Sequence, residues 1–177
     1  MALWILWALP FLLRRSHSRG GRRRAKTAPI ALLGVILQAA AYPIVWSNRY
    51  FLTHPLELLR LVSSLALGIV ALLLIWSALP ALGKQWRMQA GVYEDHVLVR
   101  TGAYRFLRHP IYASMLALLL ATGFARASLT ACAVAVAVMT IGTEIRVYAE
   151  DRLLARRFGQ EFAQYQAHVR AYLPFLR

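Results

Sequence analysis

Cysteine, acidic side chains and nucleotide-loop glycine motifs are all scarce in this chain. Of 177 residues one is a cysteine, Cys132. It lies in an apolar run, and a disulfide framework is excluded. Only 7 Asp and Glu stand against 21 Lys and Arg, a formal net charge of +14. The 10 glycines form neither a G-x-G-x-x-G nor a Walker loop, so soluble-type nucleotide binding has no support. The serines make no G-x-S-x-G elbow. The histidines are isolated and no His/Cys/Asp/Glu set has ligand spacing, so no metal is expected. What the chain has in excess is apolar surface. Hydrophobic residues make up 59%, against roughly 45–50% in soluble domains. That composition excludes a disordered basic tail and points to one membrane-embedded domain.

The basic residues and the apolar residues occupy different places. Met1–Leu13, Ala28–Ser47, Leu56–Leu79 and Ile111–Thr143 are apolar stretches. A spanning helix needs about 20 residues, which the second and third stretches supply. The fourth is too long for one crossing. Gly123, Arg126 and Ser128 mark a turn in it, so it reads as a hairpin of two short helices, Ile111–Ala125 and Ala127–Thr143. The first is short enough for a signal peptide, but no basic region precedes it and no small-x-small site follows. A short first span is the preferred reading, and the expected fold is all-α with five transmembrane helices. Eighteen of the 21 basic residues then fall in three segments on one side: the loop from Arg14 to Lys26, the connection from Lys84 to Arg108, and the tail from Arg146 onward. The positive-inside rule makes that side cytoplasmic, with the N-terminus outside and the C-terminus inside. The charge is a topology record and a contact for anionic lipids, and nucleic acid is not an expected partner.

Two polar blocks interrupt this simple pattern. The first is Gln89–Tyr112, QAGVYEDHVLVRTGAYRFLRHPIY. His109 precedes Pro110 and is pushed away from helical backbone angles, while Pro110 suits a first helical position. Arg108 and His109 then stand at the positive end of a helix, suited to anionic groups. The plainer reading is a well-capped helix start. The second block is Glu144–Asp151, EIRVYAED. Arg146 and Glu150 are four apart and share a helix face. The plainer reading is a surface ion pair, but ionisable groups leaving a membrane span more often mark a site. Beyond it, Arg146–Ala171 reads as a basic amphipathic helix, with Val147, Leu153, Leu154, Phe158, Phe162 and Tyr165 on its apolar face and an interruption at Gly159. Such a helix can lie along the inner membrane surface.

HVLVRTGAYRFLRHPIY, then E-D-x-x-L, then RFGQEFAQYQAHV and a final Pro174, resemble the isoprenylcysteine carboxyl methyltransferase family. Its core reads approximately H-x-L-V-x-x-G-x-Y-x-x-x-R-H-P-x-Y-x-G, R-x-x-x-E-E-x-x-L and F-G-x-E-Y-x-x-Y. The resemblance covers roughly Lys84 to Pro174. Three N-terminal spans (residues 1–80) before a core (81–177) are similar to the compact prokaryotic members, which implies an inner-membrane enzyme. The resemblance implies S-adenosylmethionine as cofactor and a lipid-tailed carboxylate, entering from the bilayer, as acceptor. It places the cofactor at Gln89, at His96, Val97, Leu98 and Val99, at Tyr104, at His109, Pro110, Ile111 and Tyr112, and at Glu150. It gives Arg146, with Arg108 beside it, to the acceptor's carboxylate, and makes Arg146 and Glu150 the catalytic pair. The connecting block and the C-terminal helix would close over a cytoplasmic-side cofactor pocket. Two positions depart from the pattern. Ser114 stands where glycine is usual, which questions local helix packing, and Asp151 replaces the second glutamate, which weakens a role for that carboxylate.

The residue types suit this chemistry. A sulfonium donor is already activated and a carboxylate acceptor already ionised, so neither metal nor general base is required. Positioning and charge management remain. Arg146 offers a planar fork of donors, and Tyr104 and Tyr112 offer aromatic faces to a cation. Three alternatives share parts of the pattern. Phospholipid N-methyltransferases have related Arg-His-Pro and Glu-Glu blocks. Sterol reductases using NADPH have an Arg-His-Pro-x-Tyr block in longer chains. A membrane protein that kept the fold without activity is the third.

Overall fold

The structure is a computed structural model and describes residues 1–13, 26–27, 29–47, 57–83, 91–92 and 97–172. Gln89 and His96, along with most of the basic loop from Arg14 to Lys26, lie outside the described residues. The apolar stretches fold as α1 (Ala2–Leu13), α2 (Ile30–Ser47), α3 (Glu57–Leu82), α4 (Pro110–Arg126) and α5 (Leu129–Phe158), followed by a short α6 (Gln160–His168). A 3₁₀ turn, Gly102–Arg105, precedes α4. Three of these, α2, α3 and α5, are long and apolar enough to cross a membrane, and α1 and α4 are shorter apolar helices.

Contacts between side chains give the direction of each helix. From α2, Gln38 meets Thr143 and Val45 lies near Gly123 and Cys132, so α2 runs against α5. From α3, Arg60 reaches Phe124, Ser64 reaches Ala121 and Ala71 reaches Ser114, so α3 runs against α4. From α1, Trp4 reaches Thr122 and Trp7 reaches Ser114, so α1 also runs against α4. The five apolar helices therefore alternate in direction along the chain. Helix α4 is the centre, with Ser114, Leu118 and Leu119 fully enclosed. Ser114 is a joint rather than a flaw. It accepts from Trp7 Nε1 at 2.7 Å and donates to the Ala71 carbonyl at 2.7 Å, tying α1 and α3 to α4 with a hydroxyl that glycine lacks.

The hairpin turn falls where the sequence places it. Ala127 and Ser128 separate α4 from α5, and Ser128 Oγ caps α5 by accepting from the Ala131 amide at 3.2 Å. At the other end of that turn Arg60 donates to the carbonyls of Gly123, Phe124 and Ala127, satisfying the last turn of α4.

Two boundaries differ from expectation. The hairpin's second helix does not stop at Thr143. It continues unbroken to Phe158, because Glu144, Arg146, Glu150 and Asp151 find partners inside the protein and give the chain no reason to turn. The helix expected over Arg146–Ala171 is interrupted at Gly159 as its sequence suggests, with a φ of +52° that favours glycine, but α6 ends at His168 and not at Ala171. The apolar face of α6 is buried against the protein through Phe162 and Tyr165, and does not lie free on a bilayer surface.

Three remote segments meet at one end of the bundle. The antiparallel strands β1 (Lys26–Thr27) and β2 (Gly91–Val92) join the connection before α2 to the connection before α4. Leu107 and Arg170 form a parallel bridge. Described parts of the three basic segments are thus paired: Lys26–Thr27 with Gly91–Val92, and Leu107 with Arg170.

Candidate active site

The site forms where the start of α4 meets the second half of α5. Pro110 is the first residue of α4, and His109 before it has φ −125° and ψ 61°, outside the helical region. The turn is held from the C-terminal segment: the amides of Arg108 and His109 donate to the carbonyls of Arg170 and Ala171, each at 2.7 Å. On α5, residues 146 and 150 share a face one turn apart, and residue 151 is rotated by about 100° from 150, so the two neighbouring carboxylates approach the turn from adjacent directions.

Four polar side chains are almost fully enclosed here: Arg108 and Arg146 at 7% exposure, His109 at 6% and Asp151 at 9%. Buried charges persist only when paired, and these are. Arg146 Nε donates to Tyr112 Oη at 2.7 Å, and Arg146 Nη2 donates to Glu150 Oε1 at 3.1 Å. Tyr112 Oη donates to the same Glu150 oxygen. His109 lies between the two carboxylates, with Nε2 2.8 Å from Asp151 Oδ1 and Nδ1 3.4 Å from Glu150 Oε2. Arg108 Nη2 reaches Asp151 Oδ2 at 3.3 Å, and Nη1 donates to the carbonyls of Gln166 and Val169. The His109 ring stacks on Tyr112 with centroids 5.6 Å apart, and the Arg146 guanidinium lies 5.2 Å from the same ring.

Burial disfavours the charged form of His109. The hydrogen bonds and charges of Asp151 and Glu150 outweigh it, and the imidazole is pushed up to about 9. Burial raises the Tyr104 phenol far above its ordinary value, and the Glu150 charge adds to that. Tyr104 therefore sits within the field of this carboxylate.

The structure brings together Arg108, His109, Pro110, Tyr112, Arg146 and Glu150, with Tyr104 beside them. Ile111 and Val99 are half-buried and pack near Tyr104 and Ala78. Leu98 is half-buried, while Val97 is 63% exposed. Arg108 directs its donors inward to Asp151 and the C-terminal carbonyls, and the Tyr112 ring is contacted by the protein's own His109 and Arg146. Sequence reasoning underrated Asp151, which joins Arg108, His109 and Gln166 Nε2 at 3.4 Å. It expected the C-terminal helix to close over the site but did not identify the contacts that residues 165–172 make with the turn before α4 and with Glu144. Tyr165 Oη donates to the Tyr104 carbonyl at 2.6 Å, and Tyr172 Oη donates to Glu144 at 2.6 Å.

A search of curated proteins finds no match. The family profile described as isoprenylcysteine carboxyl methyltransferase matches residues 64–156. That interval contains α4, most of α3 and nearly all of α5, including every charged side chain of the cluster. It favours methyl transfer over the reductase alternative. The polar cluster on α4 and α5, the apolar helices that carry it and the matched segment agree: the chain is a membrane-helix protein of the isoprenylcysteine carboxyl methyltransferase family.

Proposed function

We propose that the protein transfers a methyl group from S-adenosylmethionine to the carboxylate of a lipid-tailed, isoprenylcysteine-like acceptor at the cytoplasmic membrane interface. The observation that carries this reading is Arg146, a buried guanidinium on an apolar helix whose orientation is set by Tyr112 and Glu150. A planar fork of donors matches a carboxylate. Tyr112 and Glu150 hold that fork before the acceptor arrives, so little ordering is left for the moment of binding.

The donor set suits a cationic cofactor. Glu150 and Asp151 place two carboxylates at one point, and Glu150 can accept from an ammonium or a ribose hydroxyl. The His109–Tyr112 turn meets that carboxylate, Val99 packs near Tyr104, and Gln89, His96, Val97 and Leu98 belong to the same block of sequence. When bound, the sulfonium supplies a methyl group that needs no further activation. The acceptor carboxylate is ionised at neutral pH, so the protein need not remove a proton. Arg146 neutralises the carboxylate's charge and fixes its approach. Arg108, through Asp151 and the C-terminal carbonyls, keeps the turn closed against water.

Helix length supports that location. Helix α5 has 30 residues and is about 45 Å long, against about 30 Å for the hydrocarbon core. Arg146 and Glu150 lie in its second half, where it leaves the core. The alternating helix directions and the pairings of Lys26 with Val92 and of Leu107 with Arg170 support five crossings with the site end on the cytoplasmic side.

Calorimetry with S-adenosylhomocysteine in detergent tests the cofactor. Saturable binding is expected, with loss in Glu150→Ala, and no heat at high micromolar ligand defeats the assignment. Methyl transfer to a farnesylcysteine analogue, compared with an aminolipid, tests the acceptor. Methylation of the aminolipid alone defeats the carboxylate reading.

A further inference from the structure

We propose that Gly34, on α2, is a positioning residue for Arg146: its missing side chain sets where the root of Arg146 sits, and so where the guanidinium is presented. The proposal deepens the carboxylate-anchor reading and rests on it for the kinetic prediction below, though not for the spectroscopic one.

Glycine is a poor helix former, so its place inside α2 asks for a packing reason. A Cβ on Gly34 would lie 2.6 Å from Arg146 Cγ and 2.6 Å from the Gly142 carbonyl oxygen. Gly142 faces it, and a Cβ there would lie 2.8 Å from the Gly34 carbonyl oxygen and 2.9 Å from Leu37 Cβ. Neither contact can be relieved by swinging the tip of a side chain. Cγ is at the root of Arg146, and the carbonyls are backbone. The two helices therefore touch backbone to backbone one turn before Arg146.

A second contact fixes how they slide. Gln38 Nε2 donates to Thr143 Oγ1 at 3.0 Å, with both side chains buried. In an apolar surrounding such a bond sets register, because slipping leaves both groups unsatisfied. The root of Arg146 is thus held from α2, while its tip is held by Tyr112 and Glu150. Helix α2 lies before the matched interval of residues 64–156. It supplies a wall of the site that the matched segment does not contain.

Gly34→Ala is the test, with Gly68→Ala as a packing control. A Cβ at Gly68 meets Leu3 methyls at 3.1 Å, far from the polar cluster. In Gly34→Ala the acceptor KM is expected to rise at least tenfold, with S-adenosylhomocysteine affinity within twofold of wild type. Gly68→Ala should change neither. The ¹⁵Nε resonance of Arg146 in detergent, assigned by its loss in Arg146→Lys, should shift in Gly34→Ala without any acceptor present. An unchanged resonance overturns the proposal, as does an equal loss in KM and cofactor affinity. If wild type methylates no carboxylate acceptor, the carboxylate reading fails and the resonance still decides the role of Gly34. Should Gly34→Ala not fold, Gly34→Ala/Arg146→Ala removes one of the two atoms the new methyl meets at 2.6 Å and is expected to give more folded protein than Gly34→Ala. No gain in folded protein assigns the whole cost to the Gly142 carbonyl and overturns the proposal.

Discussion

Raising the pH should loosen this protein through one imidazole. His109 is enclosed between Asp151 and Glu150, with Arg108 sharing the first carboxylate and Arg146 the second. Burial acts against its charge, but the two carboxylates prevail and move it from 6.5 to about 9. A group raised in the folded state binds its proton more tightly there than in the unfolded chain. Its contribution is complete below about pH 6.5 and is lost as pH climbs through about 9. At about 1.4 kcal/mol per pH unit the interval corresponds to roughly 3 kcal/mol of folding free energy, a large fraction of a typical protein's stability. Denaturation in detergent, followed by tryptophan fluorescence at pH 6, 7.5, 9 and 10, reads the effect directly. Wild type should lose stability across the interval. His109→Gln should lose much less, because no proton is left to release. Asp151→Asn should be weaker at pH 6 and flatter above it, since the larger of the two hydrogen-bond partners is gone. A wild-type profile that is flat or rising relative to His109→Gln would refute the charged imidazole.

Other outcomes follow from the same geometry. Arg146→Lys keeps the charge but not the fork, so kcat/KM for a carboxylate acceptor should fall about 100-fold, near 2.7 kcal/mol, with S-adenosylhomocysteine binding little changed by calorimetry. Tyr112→Phe removes the hydroxyl between Arg146 and Glu150. Leaving buried charged groups a hydrogen bond short costs about 1.5–3 kcal/mol, so turnover of a farnesylcysteine analogue should drop roughly 10- to 100-fold. Ser114→Ala strands the Trp7 indole N–H, so stability should fall by about 1–3 kcal/mol, with a shift in tryptophan emission and acceptor KM unaffected. Tyr172→Phe breaks the bond to Glu144, and limited proteolysis should then release the C-terminal segment faster than in wild type.

Much of the architecture was legible as lengths of apolar chain. The run ending at Ser47 and the run from Leu56 became α2 and α3 nearly as read, because a helix is the simplest way to satisfy the backbone in lipid. The turn at Ala127–Ser128 was visible from a glycine, an arginine and a capping serine. The end of α5 was not. Polar residues after Thr143 resemble a membrane exit, and nothing local reveals that Tyr112, His109 and Tyr172 wait across the bundle to receive them. Arg146 and Glu150 could be paired from their spacing alone. Asp151 could not be paired with Arg108 and His109, which lie more than 40 residues earlier.

Composition and order by themselves marked a membrane protein, led to the expectation of basic segments on one side, and singled out two polar blocks as candidates for its chemistry. Those properties depend on quantities that add along a chain, namely hydrophobicity, charge and local spacing. The tertiary structure decided which donors meet which acceptors: that His109 lies between two carboxylates, that the segment from Gln166 to Ala171 holds the Arg108 turn, and that Gly34 seats the root of Arg146. These depend on helix direction and depth of crossing, which distances of ångströms settle and no sequence interval encodes.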